Sequence, residues 1–124
     1  MRLPRLPLPA GDGGGGGALN RQRKGKNFER KTARALALVY PGAKRCLQYQ
    51  AGHESPDVSA GPLWVECKAG RVSVVPVYRA TRRACAAGKG PRVPAVVTTS
   101  GAGAPLVITL ALSDLIKLLR GVKP

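Results

Sequence analysis

Two prolines and a glycine fix the middle of this chain. Pro56 has no backbone N–H to offer a neighbouring strand, so a strand can begin only at or after Asp57. Residues 59–62, Ser-Ala-Gly-Pro, turn the chain. Residues 63–68, Leu-Trp-Val-Glu-Cys-Lys, read as the next strand. One face of that strand carries Trp64, Glu66 and Lys68, and the other carries Leu63, Val65 and Cys67. Gly70 breaks it. A hairpin across residues 59–62 can bring Asp57 and Glu66 together. Acids are scarce here: the chain has six Asp and Glu against 21 Lys and Arg, and Glu54, Asp57 and Glu66 are half of the six.

The rest of the chain supplies elements around that hairpin. Residues 1–24 read as a disordered Pro/Gly-rich basic tail, and residues 25–124 as a single domain. Residues 20–26 (Asn-Arg-Gln-Arg-Lys-Gly-Lys) are either a solvated leader or an arm that orders on phosphate. A helix is expected from residues 25–27 to 39–40, with Asn27 as its N-cap. Phe28, Thr32, Leu36 and Val39 give it a greasy face, and Lys26, Arg30 and Arg34 a basic one, beside Lys31. Pro41-Gly42 ends it.

Residues 43–50 read as a first strand. Residues 72–77 fit either a short strand or the approach to a helix over residues 78–87, with Arg79, Arg82 and Arg83 exposed. Residues 95–99 and 106–112 read as strands of a hairpin. Ser113 can cap a last helix that Gly121 ends. The order helix, three strands, helix, two strands, helix predicts an α/β or α+β fold with a mixed sheet.

Composition narrows the partner. A chain of 124 residues has room for one modest core, and with 4 % aromatics Ala, Val and Leu must build it. Self-association would help so thin a core. The sequence pI near 11 is a footprint for a polyanion. Nucleic acid fits better than a membrane surface, since there is no long basic amphipathic helix with bulky apolar residues. Cys46, Cys67 and Cys85 form no C-x-x-C pair and read as small buried hydrophobes of a reducing cytoplasm. There is no apolar run of membrane-spanning length, and Pro4, Pro7 and Pro9 break any signal-peptide core at Leu3, Leu6 and Leu8.

These features converge on phosphodiester chemistry. Hydrolysis needs a nucleophilic water, a Lewis acid at the phosphate and help for the leaving oxygen. Magnesium supplies the first two when one or two carboxylates hold it. Asp57 and Glu66 would repel each other unless a cation lay between them. Lys68, on the same face as Glu66, can orient the water or offset developing charge.

Pro56-Asp57 followed by Glu66-Cys67-Lys68 resembles the signature of the PD-(D/E)xK nuclease superfamily. The layout is similar, more narrowly, to archaeal and phage Holliday junction resolvases. The matching features are Lys24-Gly25-Lys26, Phe28-Glu29-Arg30, Arg45, Gly52, Pro56-Asp57-Val58 and Trp64-Val65-Glu66-Cys67-Lys68. The resemblance implies a restriction-endonuclease-like core with a central mixed sheet of about five strands flanked by helices. It implies Glu29, Asp57 and Glu66 around Mg2+, with Mn2+ a substitute, and Lys68 as the catalytic lysine. It also implies a homodimer, because a four-way junction needs two paired cuts. Arg23, Lys24, Lys26, Arg30, Arg34, Arg45, Arg79, Arg82 and Arg83 would contact DNA phosphates in a prokaryotic or phage-infected cytoplasm. Relatives often carry a Gln on the next helix; residues 78–81 have none, and Arg79 or Thr81 is the stand-in.

Simpler readings stand beside these. Asp57 can merely start a turn, and Glu66 and Lys68 can be a solvated pair. Glu29 can stabilise a helix start, with Lys31, Arg30 or Arg34. His53 and Glu54 read as ordinary loop residues. Tyr49 and Trp64 can stack on a base, while Trp64 equally well shields the sheet. Another PD-(D/E)xK activity, nicking or restriction-like, and a non-catalytic basic nucleic-acid-binding protein are the competing functions.

Overall fold

The computed structural model describes residues 18–46, 55–88 and 90–121, and for residues 18–24 the backbone alone. Most of the expected tail, residues 47–50 of the expected first strand with Tyr49, and the part of the loop with Gly52, His53 and Glu54 lie outside the described residues. The order is α1 (Ala18–Leu36), β1 (Lys44–Arg45), β2 (Val58–Ala60), β3 (Leu63–Ala69), α2 (Val74–Ala87), β4 (Val93–Thr99), β5 (Val107–Thr109) and α3 (Leu112–Leu119). This is an α+β fold with one five-stranded mixed sheet, in the order the sequence predicts.

The sheet runs β1-β2-β3-β4-β5. The first three strands form an antiparallel meander, β3 pairs parallel with β4 through the α2 crossover, and β5 returns antiparallel. Val58 pairs with Val65 and Ala60 with Leu63, so these four point to one face. There they join Phe28 and Ala33 of α1 and Val93, Ala95 and Val97 of β4 in the core. The opposite face of β3 and β4 packs against α2. Among the described residues no helix is long and apolar enough to cross a membrane.

Pro94 sits opposite Trp64 in β4, an interior strand of the sheet. The N–H of Val93 donates to the carbonyl of Pro62 at 2.8 Å, so by alternation the nitrogen of Pro94 faces away from β3. On that side β5 pairs only with residues from Val96 to Thr98, and no ladder bond is lost.

Several boundaries differ from expectation. Helix α1 starts at Ala18, because residues 18–24 are mostly good helix formers. Part of the expected tail is therefore helical, and Asn27 is not an N-cap. Its Oδ1 instead accepts from Arg30 Nη1 at 3.2 Å. Glu29 is not in the first turn, which holds no acid. At the other end Leu38 and Val39 bond back to Ala35 and Leu36 in a tightened last turn, which leaves Val39 exposed rather than on the buried face. Lys31 is buried instead of lying beside the basic face.

Residues 74–77 belong to α2, with Pro76 in the first turn, where no intrahelical N–H is needed. Strand β5 is shorter than expected. Helix α3 starts at Leu112 with Ala111, not Ser113, as its N-cap. Gly121 does end it, at φ 70°, a left-handed conformation favouring glycine.

Candidate active site

The β2–β3 register places the acids. Val58 lies opposite Val65, so the next position outward sets Asp57 opposite Glu66, on the face away from the core. The two carboxyls share a cleft of about 570 Å³ between β3 and α2. Ser55, Asp57, Trp64, Glu66 and Lys68 line one side, and Pro76, Val77, Ala80, Thr81 and Ala84 of α2 the other. Trp64, Glu66 and Lys68 thus share a face, as the alternation of residues 63–68 predicts.

Asp57 is 5 % exposed and anchored: the Cys67 N–H donates to its Oδ2 at 2.9 Å. Its own carbonyl accepts from the Cys46 N–H at 3.0 Å, which ties it to the edge of β1. Glu66 pays for the crowding. Burial first, then the charge of Asp57 and a hydrogen bond with it, push the Glu66 carboxyl up to about 7, against the opposing pull of Lys68. Lys68 is exposed at the end of the same row.

Glu29 does not line this cleft. Its Oε2 accepts from Arg45 Nε at 2.8 Å in a partly buried ion pair. Its negative charge still reaches Glu66 and adds slightly to the upward shift there. Arg45 is thus engaged by Glu29. The side chains of Lys26, Arg30, Arg34, Arg79, Arg82 and Arg83 are exposed, and Arg23 and Lys24 lie on the first part of α1. Thr81 lines the cleft, but its hydroxyl donates to the Val77 carbonyl at 2.8 Å. Arg79 is not among the lining residues.

Trp64 is 6 % exposed and forms part of the cleft wall, so it shields the sheet and faces the site at once. The Cys67 thiol, pushed up to about 12 by burial with the Thr32 hydroxyl opposing, stays protonated and is no nucleophile. The chain matches no protein-family model, and it has no match among curated proteins or solved structures.

Among the described residues no three His, Cys, Asp or Glu side chains gather into a metal-binding group. The donor chemistry of Asp57 and Glu66 nonetheless fits a hard cation. Magnesium is commonly held by one or two protein carboxylates, with waters and substrate phosphate filling the remaining positions. Burial first and then the charge of Asp57 raise the Glu66 carboxyl, and a cation between the two acids would offset that charge.

The α2 wall of the cleft was not legible in the sequence. Val77, Ala80 and Ala84 look like ordinary helix residues, and only the crossover from β3 to β4 brings them opposite Trp64 and Glu66. The Glu29–Arg45 pair joins residues of α1 and β1 and leaves no short motif.

Proposed function

We propose that this protein is a magnesium-dependent endonuclease that hydrolyses phosphodiester bonds in DNA, with a preference for branched substrates such as four-way junctions. One observation carries the reading: Asp57 and Glu66, from adjacent strands, face each other in one cleft with Lys68 in the same row. The net charge of +15 supports a polyanionic substrate. The preference for junctions rests on the sequence resemblance to resolvases.

In this proposal Asp57 and Glu66 hold the metal. Bound there, magnesium would supply Lewis-acid stabilisation of the phosphate and lower the pKa of a water. Asp57 is fixed by the Cys67 N–H, so its carboxylate is oriented before any ligand arrives. Glu66 gives up its proton near neutral pH to become a ligand. Lys68 offsets negative charge at the phosphate. Trp64 on one wall and Val77 and Ala80 on the other give the cleft apolar lining on both sides. The exposed arginines of α1 and α2 contact phosphates and read shape rather than sequence.

The test compares wild type with Asp57→Asn, with and without magnesium, on a four-way junction and a linear duplex. Wild type is expected to cut the junction only with magnesium, and the variant to bind without cutting. Binding without any cleavage by wild type would overturn the enzyme reading in favour of a basic binding protein. Equal cutting of both DNAs would keep a nuclease of another substrate class. Cleavage by the variant at the wild-type rate would displace the site.

A further inference from the structure

The face of the sheet that carries the acids also carries two cations that the sequence does not mark out. Lys44 of β1 pairs with Ser59 of β2, and Ser59 pairs with Trp64 of β3. Partners in register point to one side, so Lys44 and Ser59 share the face of Trp64, Asp57 and Glu66. Arg45, one residue on, takes the other side and meets Glu29 there. Arg92 reaches the same spot from elsewhere in the chain. It lies just before β4, yet its Nη1 donates to Ser59 Oγ at 3.1 Å, which takes the guanidinium past the start of β3 to β2.

Cys46 shows how close these groups stand. It lies just past β1, with its N–H on the Asp57 carbonyl at 3.0 Å. Burial raises its thiol, the charges of Arg92 and then Lys44 pull it back down, and the charge of Asp57 raises it. One side chain thus senses both cations and the acid. Lys44 and Arg92 are exposed, and among the described residues neither is in an ion pair. Two cations gathered at one hydroxyl without a carboxylate call for an anion from outside.

We propose that Lys44, Ser59 and Arg92 form a subsite for a DNA phosphate adjacent to the one that is cut. Ser59 stands two residues from Asp57 along β2, about 6–7 Å at the rise of a strand. That distance is comparable to the step between neighbouring phosphates of one DNA strand. Ser59 orients the guanidinium, whose remaining N–H groups are donors for phosphate oxygens, and Lys44 adds a point charge. The adjacency to a cut rests on the endonuclease reading; the phosphate subsite itself rests on β1, β2 and Arg92. The consequence for the substrate is that the strand must continue past the scissile phosphate toward β1.

The test uses the full chain and four-way junctions in which one phosphate at a time is replaced by an uncharged methylphosphonate. Binding is read by fluorescence anisotropy without divalent metal over a range of salt. The double variant Lys44→Ala with Arg92→Ala is expected to make the log–log salt slope shallower by about 0.9, the share of one phosphate, with unchanged far-ultraviolet circular dichroism. Arg92→Lys is expected to keep the wild-type slope. At one position the methylphosphonate is expected to weaken wild-type binding and to cost the double variant nothing further. With magnesium that position is expected to neighbour the cut, and the substitution there to lower wild-type kcat/KM about tenfold. A salt slope unchanged in the double variant would overturn the subsite. So would methylphosphonate effects equal in wild type and double variant at every position, and cleavage by wild type would then leave the endonuclease reading standing. Coupling in affinity with no cleavage by wild type would sustain the phosphate subsite and overturn the endonuclease reading.

Discussion

The backbone N–H of Cys67 donates to Asp57 Oδ2 at 2.9 Å, so an acid before one strand is fastened to the middle of the next. The bond holds Asp57 beside Glu66, with which it also shares a side-chain hydrogen bond. Asp57→Asn keeps an acceptor and is expected to leave unfolding by urea within about 1 kcal/mol of wild type. Asp57→Ala leaves the Cys67 N–H without its partner and is expected to lose about 1–3 kcal/mol in the same titration.

The raised carboxyl of Glu66 makes stability depend on pH. The folded state holds its proton up to about 7, whereas the ordinary value for this group is 4.5. In that window the folded state binds more protons than the unfolded chain, so stability falls as pH rises from below 4.5 through 7. Allowing for screening at a partly exposed group, the loss is roughly 1–2 kcal/mol. Unfolding titrations at pH 5 and pH 8 without divalent metal are expected to show it in wild type and not in Glu66→Gln. Magnesium is expected to protect wild type at pH 8 and give no protection to the variant.

Glu29 and Arg45 give a different kind of prediction. Each is the other's partner in a partly buried pair, so removing one leaves the other's charge poorly compensated. Arg45→Met is expected to destabilise by about 1–3 kcal/mol in thermal unfolding. Glu29→Gln is expected to reduce magnesium-dependent cleavage by about tenfold or less, whereas Glu66→Gln abolishes it, because Glu29 reaches the cleft through its field alone. Cleavage lost as completely in Glu29→Gln as in Glu66→Gln would make Glu29 a ligand.

Trp64 is the sole tryptophan and reports on the cleft wall. A Cβ added to Gly88 would lie 2.8 Å from Trp64 Cζ3. Gly88 has φ −75°, which any residue adopts, so Gly88→Ala acts by steric contact alone. The expected outcome is a shifted Trp64 emission spectrum and a loss of about 1–3 kcal/mol. Unchanged emission would place the ring elsewhere.

Much of the site was readable because strands report their faces. Pro56, the Gly61–Pro62 turn and the alternation of residues 63–68 suffice to set Glu66 and Lys68 on one side and to bring Asp57 across. Boundaries were readable where backbone chemistry decides them, as at Gly121. They were not where propensity continued past an expected cap: residues 18–24 extend α1 beyond Asn27, and Leu112 joins α3 ahead of Ser113. Glu29 illustrates the other limit. The resemblance implied a carboxylate at the metal and its place early in the helix a helix-start stabiliser, but the packing of α1 beside β1 supplied Arg45.

The crossover through α2 has a further consequence, for the order in which the chain assembles. Asp57 and Glu66 are joined by a tight turn, so their contact closes a short loop and lies within reach early in folding. The facing wall requires β4 to find β3 after the whole of α2, a nonlocal closure of the kind that slows folding. Chevron measurements are therefore expected to show hairpin substitutions such as Gly61→Ala slowing refolding, and α2 substitutions such as Ala84→Gly mainly accelerating unfolding. The acids would then meet each other in the collapsing chain before the chamber that encloses them has formed.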